Sequence, residues 1–485
     1  MLPVPTNIAN GSTVSLQCGM TYQGTLNLSG KSNVTVTTSG TCGKASITPG
    51  TAVTSWSLYQ GNVYSAPIGF TPVQVSIDGK PIDTAHWPNR PQVWATSTSS
   101  IPSSDLTGAT LITKPNVYSI NSQTLSSNSV STSSPFYVEG KLWMLDSPGE
   151  WVVSNGRLYI WAPDGASPEG RVWAAAGNVG INADKSSGVT IDNVRVFSAS
   201  DGISGAASTN LKVRNSEILN SARDGVYAPD ASTLVLDSNA IANSVRNGIG
   251  GWYNNNGAIV TNNVVSTSGT VGMPKPTQAG IFFGYSSKNT KIDKNQVNNS
   301  ASNGITAYVN SVISNNTVDS ACTVLTDGGG IYTNGRTAGY VPLNLRIENN
   351  TVRNVALDGA KGIYLDDASS YVTVTGNNVS ATPTGLFIHD GSNNTVTSNT
   401  FYSNVNNHVA LGMTSSSNVF TGNNFNSTRN ELTFALAGSN LTSYGTFDYN
   451  TYKTTNVSRF ASAAGTKDYT GWKNYMRQDT HSTLN

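Results

Sequence analysis

The chain has 485 residues, of which 37% are hydrophobic, enough for one large core or two ordinary ones. Only 11% are charged and the formal net charge is +1, so nothing in the composition marks a nucleic acid or an anionic membrane as partner. No apolar run reaches the ~18 residues needed for a membrane-spanning helix, and an Asn-, Ser-, Thr- and Gly-rich composition poor in long flexible side chains favours strands and turns over helices.

Residues 1–55, with TLNLSG and VTVTTSG, read as a cap and the first coils of a β fold. The start MLPVPTNIAN lacks a basic, apolar leader, and a Met ahead of LPVP reads as a start codon placed before a mature chain whose signal peptide was removed, hence secreted or periplasmic. Cys18 and Cys42 stand 24 residues apart, each beside a glycine, and are expected either as a disulfide stapling these coils in an oxidising compartment or as two small buried thiols; Cys322 stands alone. Residues 56–175 are richer in aromatics and proline, as in AHWPNRPQVW and GRLYIWAPDG, and are expected as a β-rich subdomain inserted after the first coils.

From 176 to 440 the chain repeats. A glycine followed by an aliphatic residue recurs at Gly202, Gly225, Gly248, Gly280, Gly304, Gly330, Gly362 and Gly385, at spacings of 23, 23, 32, 24, 26, 32 and 23. Between these lie strand-and-asparagine signals such as VTIDNVRV, LVLDSNAI, LRIENNTV and VTVTGNNV. Short strands separated by Asn-rich turns in a unit this small predict an all-β, right-handed parallel β-helix in which each coil stacks on the last. A propeller blade needs roughly 40 to 50 residues, and a sandwich has no fixed period. Asparagine suits the turns because it tolerates left-handed backbone and can hydrogen-bond down a stack. Residues 441–485, containing SRFASAAGTKDYTGWKNYMRQ, are expected as a C-terminal cap or tail with a short helix.

Aligning the repeats on their glycines assigns faces, since side chains alternate across a strand. The inward positions are Val226, Ile281, Ile305, Ile331, Ile363 and Leu386, then Ala228, Phe283, Ala307, Thr333, Leu365 and Ile388. The outward columns hold Tyr227, Gly250, Phe282, Thr306, Tyr332, Tyr364 and Phe387, then Pro229, Trp252, Gly284, Tyr308, Asn334, Asp366 and His389. With coils about 4.8 Å apart, these columns become ladders that set exposed aromatic rings beside polar groups. Tyr364 is thereby expected as an exposed ring without core contacts.

Two adjacent carboxylates, Asp366 and Asp367, end the stretch KGIYLDD, with His389 and Asp390 one repeat later. An Asp-Asp pair at a strand end often only accepts backbone N–H bonds. Crowded with a histidine and aromatic rings, it is a poor device for stability, because like charges disfavour each other's ionisation, and a good one for sugar chemistry. Asp327 opens TDGGGIYTNGR; in a straight segment it would lie roughly 20 Å along the coil from Asp366, so cooperation requires the glycines to bend it back over the groove. The residues TAGYVPLN after Arg336 lengthen this repeat and are expected to wall one side.

The segments FYVEGKLWMLDSPGEWVVSNGRLYIWAPDG (136–165), DGGGIYT (327–333), GIYLDD (362–367) and FIHDGSNN (387–394) resemble the right-handed parallel β-helix glycoside hydrolases, the group that includes β-xylosidase and fucosidase families with an inserted β-rich subdomain. The resemblance implies catalytic carboxylates on neighbouring coils at Asp327 and at Asp366 or Asp367, and a histidine, His389, against the sugar; Asp390 follows where a glycine is more usual. The expected activity is cleavage of a polysaccharide or oligosaccharide by this Asp pair. Tyr332, Tyr364, Trp252 and Phe387 would offer stacking faces, and His389, Asp390, Arg336 and Asn334 would bind hydroxyls. A hydrolase of this kind needs no cofactor and no metal. The alternatives are a polysaccharide lyase on the same scaffold, using Lys361 or Arg336 and calcium at Asp366, Asp367 and Asp390, and a non-catalytic carbohydrate-binding β-helix.

Overall fold

The computed structural model describes residues 1–103, 105–269, 279–438 and 443–485. Leu441, where the repeat was expected to fade, lies outside them. Among the described residues, three ladders of 15, 14 and 13 strands, parallel except for the last pair of the 14-stranded one, run the length of the molecule and wind as a right-handed β-helix. Their inward faces meet in one continuous core. Val226, Ile281, Ile305, Ile331, Ile363, Leu386, Ala228, Phe283, Ala307, Leu365 and Ile388 are all fully buried in it, and so is Thr333, so the inward register read from the glycines holds.

Each repeat glycine sits where one coil presses on the next. A Cβ on Gly362 would lie 2.4 Å from Val379 and 2.6 Å from the Gly385 carbonyl, so the corner admits no side chain. The asparagine pairs divide their labour. The first residue of the pair takes the left-handed turn, as at Asn262, Asn315 and Asn349. The second turns inward and joins a buried ladder from Asn239 through Asn263, Asn295, Asn316, Asn350, Asn377, Asn399 and Asn423 to Asn450. Each side-chain oxygen in it accepts from the backbone and side-chain amides of the coil before. Burying an amide is tolerable here because its partners are supplied by its own turn and by the coils on either side.

The insertion is visible as a gap in sequence that the ladders ignore. Leu26–Asn27 pairs with Ile181–Asn182, and Ala45–Thr48 pairs with Val194–Ala199, across the intervening chain. That chain forms a sheet of eight strands and one of four, mostly antiparallel, with cores of their own. Within it, Glu150–Ser154 and Arg157–Trp161 form a hairpin around Asn155-Gly156, both in positive φ as a tight two-residue turn requires. Cys18 and Cys42 form a disulfide, and Cys322 is free and buried. At the far end, parallel pairing continues through Gly445–Asp448 and Thr451–Lys453, and the helix Tyr469–Met476 closes the core by stacking Trp472 on Phe434.

Candidate functional site

The site lies on the outer face of the 14-stranded ladder, at the ends of Gly329–Asn334, Lys361–Asp366 and Thr384–Ile388. Parallel pairing sets Tyr332 beside Tyr364, Tyr364 beside Phe387, and Asn334 beside Asp366. Phe387 stacks between Tyr364 and His389 at 5.3 Å from each, so the rings form one row along the coils. Asp366 is the hub beneath that row. Its Oδ2 accepts from the Tyr332 hydroxyl at 2.8 Å and the Asn334 amide at 3.1 Å; its Oδ1 accepts from the Asp367 backbone N–H and meets His389 Nδ1, both at 2.8 Å. Burial alone would raise the Asp366 pKa, but hydrogen bonds from His389, Tyr364 and Tyr332, together with attraction to His389, outweigh it and hold the carboxyl below its usual value. Burial and the Asp366 charge push the phenols of Tyr332 and Tyr364 well above the ordinary tyrosine value, so both remain donors.

Asp367 follows in left-handed backbone, φ 36°, which swings its carboxylate away from the strand direction. There it meets Arg336 Nη2 at 3.0 Å, the Asn334 amide at 3.3 Å and His389 Nδ1 at 3.5 Å, and it stays more open to solvent than Asp366. His389 is 38% exposed at its side chain; its Nε2 lies 3.8 Å from the Asp390 carboxylate, which also accepts from the Thr414 N–H. Asp366, Asp367 and His389 each present a ligand-type atom within 4.8 Å of the others.

Asp327 does reach this face. Its chain bends at Thr326 and Asp327, and both N–H groups donate to the Val117 carbonyl of the inserted subdomain, while Lys114 Nζ donates to Val324 O. Gly328 is pressed against Asn303, whose side-chain oxygen accepts from Gly329 N–H. The Asp327 carboxylate then lies 3.4 Å from Lys361 Nζ, which sits 4.1 Å above the centre of the Tyr364 ring. One ammonium and one phenol therefore separate Asp327 from Asp366.

Two of the expected stacking faces need correction. Tyr364 is only 3% exposed: it points outward, but Lys361, Tyr332 and Phe387 cover it and its hydroxyl is tied to Asp366. Trp252 is not part of this row. A β-bulge between Gly250 and Trp252 shifts the register, Trp252 takes φ 55°, and its indole N–H donates to Asp224 at 2.6 Å, three coils away from Tyr332.

That contact belongs to a second charged cluster on the same face, which the glycine register did not pick out. Asp201 and Asp224 each precede a repeat glycine, in SASDGIS and SARDGVY, and Asn247 does so in the next repeat. Asp201 Oδ1 accepts from the Asp224 N–H, and Asp224 Oδ1 from the Asn247 N–H. Arg246 clasps both Asp224 oxygens at 2.8 Å and lies over the Trp252 ring. The recurrence of Asp at one place in two adjacent repeats was the available signal. Tyr308, assigned above to the outward column, is instead buried beside Asp366, with its pKa pushed up to about 12 mainly by burial.

A family model described as the right-handed β-helix region matches residues 172–320 and 280–458. No curated protein sequence matches the chain. Among solved structures, one described as a glycoside hydrolase superposes with a TM-score of 0.50 at 11% identity, over 85% of this chain and 89% of that one. XylC in complex with xylose aligns at 12% identity over 99% of this chain and 78% of its own, with a TM-score of 0.42. The catalytic domain of a GH87 α-1,3-glucanase in complex with nigerose aligns at 9% identity over 89% and 91%, with a TM-score of 0.38. At such identities the likeness is one of fold.

Proposed function

The chain belongs to the right-handed β-helix family, and on that scaffold we propose that it is a secreted glycoside hydrolase cleaving a polysaccharide or oligosaccharide. The observation that carries this reading is the Asp366 carboxylate, held ionised by Tyr332, Tyr364, Asn334 and His389 at the edge of an aromatic row, with Asp367 beside it and Asp327 across Lys361 and Tyr364. Glycosidic cleavage passes through an oxocarbenium-like transition state and needs one carboxyl group to protonate the leaving oxygen and another to attack or to activate water.

Both Asp366 oxygens are occupied by donors, so its best use is a fixed negative charge that stabilises the developing cation and holds the His389 ring. Asp367 is the better placed to attack or to act as base, since it is more exposed than Asp366, 20% against 9%, and is held by fewer donors, chiefly Arg336 at 3.0 Å and Asn334 at 3.3 Å. Asp327 is the second carboxylate, across the Lys361 ammonium. Phe387 and the His389 ring offer a stacking edge, and Arg336 and Asp390 can hold hydroxyls. Asn334 is buried, its amide nitrogen donating to Asp366 and Asp367 and its oxygen accepting from the Thr337 N–H, so it orders the carboxylates rather than meeting a sugar. The Cys18–Cys42 disulfide supports an oxidising compartment. Among the described residues, no helix is long and apolar enough to cross a membrane.

A lyase is the second reading, favoured by Lys361 and Arg336 near the carboxylates. Calcium fits poorly: the ion prefers six to eight oxygens, whereas here one of three candidate ligands is an imidazole and the Asp366 oxygens are already engaged.

The deciding experiment measures reducing ends released from xylan, mannan, α- and β-glucans and pectate, together with absorbance from unsaturated uronides. Reducing ends without that absorbance, lost in Asp327→Asn or Asp367→Asn, support the hydrolase. Absorbance that rises with product moves the assignment to a lyase, and near-normal kcat in Asp327→Asn, Asp366→Asn and Asp367→Asn alike removes the carboxylate mechanism.

A further inference from the structure

The inserted subdomain carries a cleft that the proposed chemistry does not use. It has a volume of about 610 Å³, well within the ~300–1,000 Å³ range of ligand sites, and is open to solvent between the turn Gln60-Gly61-Asn62 and the helical turn Leu142–Met144. Three aromatic rings line it, Tyr59, Trp143 and Trp161, over a floor that includes Val63 and Leu145. Their placement follows from the sheet. Val63 is paired with Trp161 on neighbouring antiparallel strands, and residues paired in this way share a face.

Two of the rings are held in place. Tyr59, 52% exposed, meets Tyr159 edge-on at 4.9 Å, and the Trp143 indole N–H donates to the Asp105 carbonyl at 2.9 Å. An aromatic ring left half in water but fixed in orientation binds a flat apolar face at small entropic cost. The polar rim supplies amides, Gln60 and Asn62, and one carboxylate, Asp146, itself tied to the Asn89 amide. Among the described residues, no lysine, arginine or histidine lines the cleft. An anionic ligand would therefore meet no counter-charge, and a protein partner with an acidic docking patch is disfavoured for the same reason. Fixed rings, amides and a carboxylate without cations match the pyranose ring of a neutral sugar, which offers an axial C–H face for stacking and equatorial hydroxyls for the rim.

We infer that the cleft formed by Tyr59, Trp143, Trp161, Gln60 and Asn62 is a non-catalytic binding site for a neutral glycan, which tethers the enzyme to polymer while the β-helix groove acts. The choice of ligand class rests on the proposed function; the choice of residues rests on the cleft alone.

The test separates tethering from turnover. The Asp327→Asn/Asp367→Asn double variant, which should bind without cleaving, is run in affinity gels containing xylan, mannan, pullulan, β-glucan or, as an anionic control, pectate. Retardation by at least one neutral polymer is expected, weakened about tenfold by Tyr59→Ala and by Asn62→Ala, with pectate giving no retardation through this cleft. Tyr59 is exposed, so its variant should keep the parent melting temperature; Trp161→Phe serves as a milder second probe.

No retardation by any neutral polymer, retardation indifferent to Tyr59→Ala, Asn62→Ala and Trp161→Phe, or dimerisation abolished by Tyr59→Ala in sedimentation would each overturn the inference. Hydrolysis by the parent chain without cleft-dependent retardation would sink the cleft and leave the hydrolase standing. Cleft-dependent retardation without turnover would do the reverse.

Discussion

Two patches on the same ladder contain the same ingredients, buried carboxylates, aromatic rings and cations, and put them to different use. In the upstream patch Asp201 and Asp224 stand before the repeat glycine, at the start of the strand. There each carboxylate accepts the backbone N–H of the following coil, and Arg246 and Trp252 close over Asp224. In the downstream patch Asp366 and Asp367 stand at the strand's end, where the chain leaves the ladder and no coil covers them completely. Their partners are side chains, Tyr332, Asn334, His389 and Arg336, and one edge stays open. The difference lies in position within the repeat: at a strand start the backbone of the next coil covers the carboxylate, while at a strand end side chains cover Asp366 and leave Asp367 partly exposed.

The sharpest way to break this comparison is to neutralise each patch in turn. Asp367→Asn and Asp327→Asn should lower kcat about 10²- to 10⁴-fold with little change in melting temperature, the usual worth of general acid–base catalysis. Asp224→Ala should do the opposite. It leaves the Asn247 N–H and the Trp252 indole N–H without their acceptor and removes the nearer carboxylate from Arg246, and should cost roughly 1–3 kcal/mol of stability, read by urea denaturation, while the folded fraction retains its kcat. Loss of kcat in folded Asp224→Ala would make the upstream patch part of the active site.

The patches should also differ in sign with pH. Burial, then the charge of Asp224, raises the Asp201 carboxyl to about 6. The unfolded chain releases that proton first, so this group's contribution to stability falls as pH rises from about 4 to about 6, by on the order of 3 kcal/mol. Asp366 is held below its ordinary value, so its contribution is present above about pH 4 and is lost on further acidification. Denaturant titrations from pH 3 to 7 should therefore show Asp201→Asn flattening the decline between about pH 4 and 6, and Asp366→Asn removing part of the loss below pH 4. Identical profiles for the two variants would dissolve the contrast.

The smallest effect expected is that of Tyr332→Phe, which removes one donor to Asp366. Roughly 1–2 kcal/mol of stability should go, with Asp366 titrating higher by NMR. An unshifted titration would mean that the Tyr332 hydroxyl points elsewhere in solution.

Much of this molecule was legible in its repeats. Side chains alternate with period two and coils stack at a fixed spacing, so the glycines alone predicted which residues of Gly329–Asn334 and Lys361–Asp366 face the core, and they set Asn334, Asp366 and His389 in one column. The asparagine pairs announced the turns and their ladder for the same reason, a local hydrogen-bonding preference repeated in register. Local rules stop where the chain departs from the period. The bulge at Trp252 moved a ring to Asp224, and the cover over Tyr364 came from Lys361 and the neighbouring rings, neither of which alternation predicts. Whether Asp327 could reach the groove was beyond the sequence altogether, because the carbonyl that holds its bend belongs to Val117, some 200 residues earlier in an insertion. Sequence determined the solenoid and its faces through nearest-neighbour stacking; only the tertiary structure, by docking that insertion against an irregular bend, decided that Asp327 reaches the same face as Asp366 and Asp367.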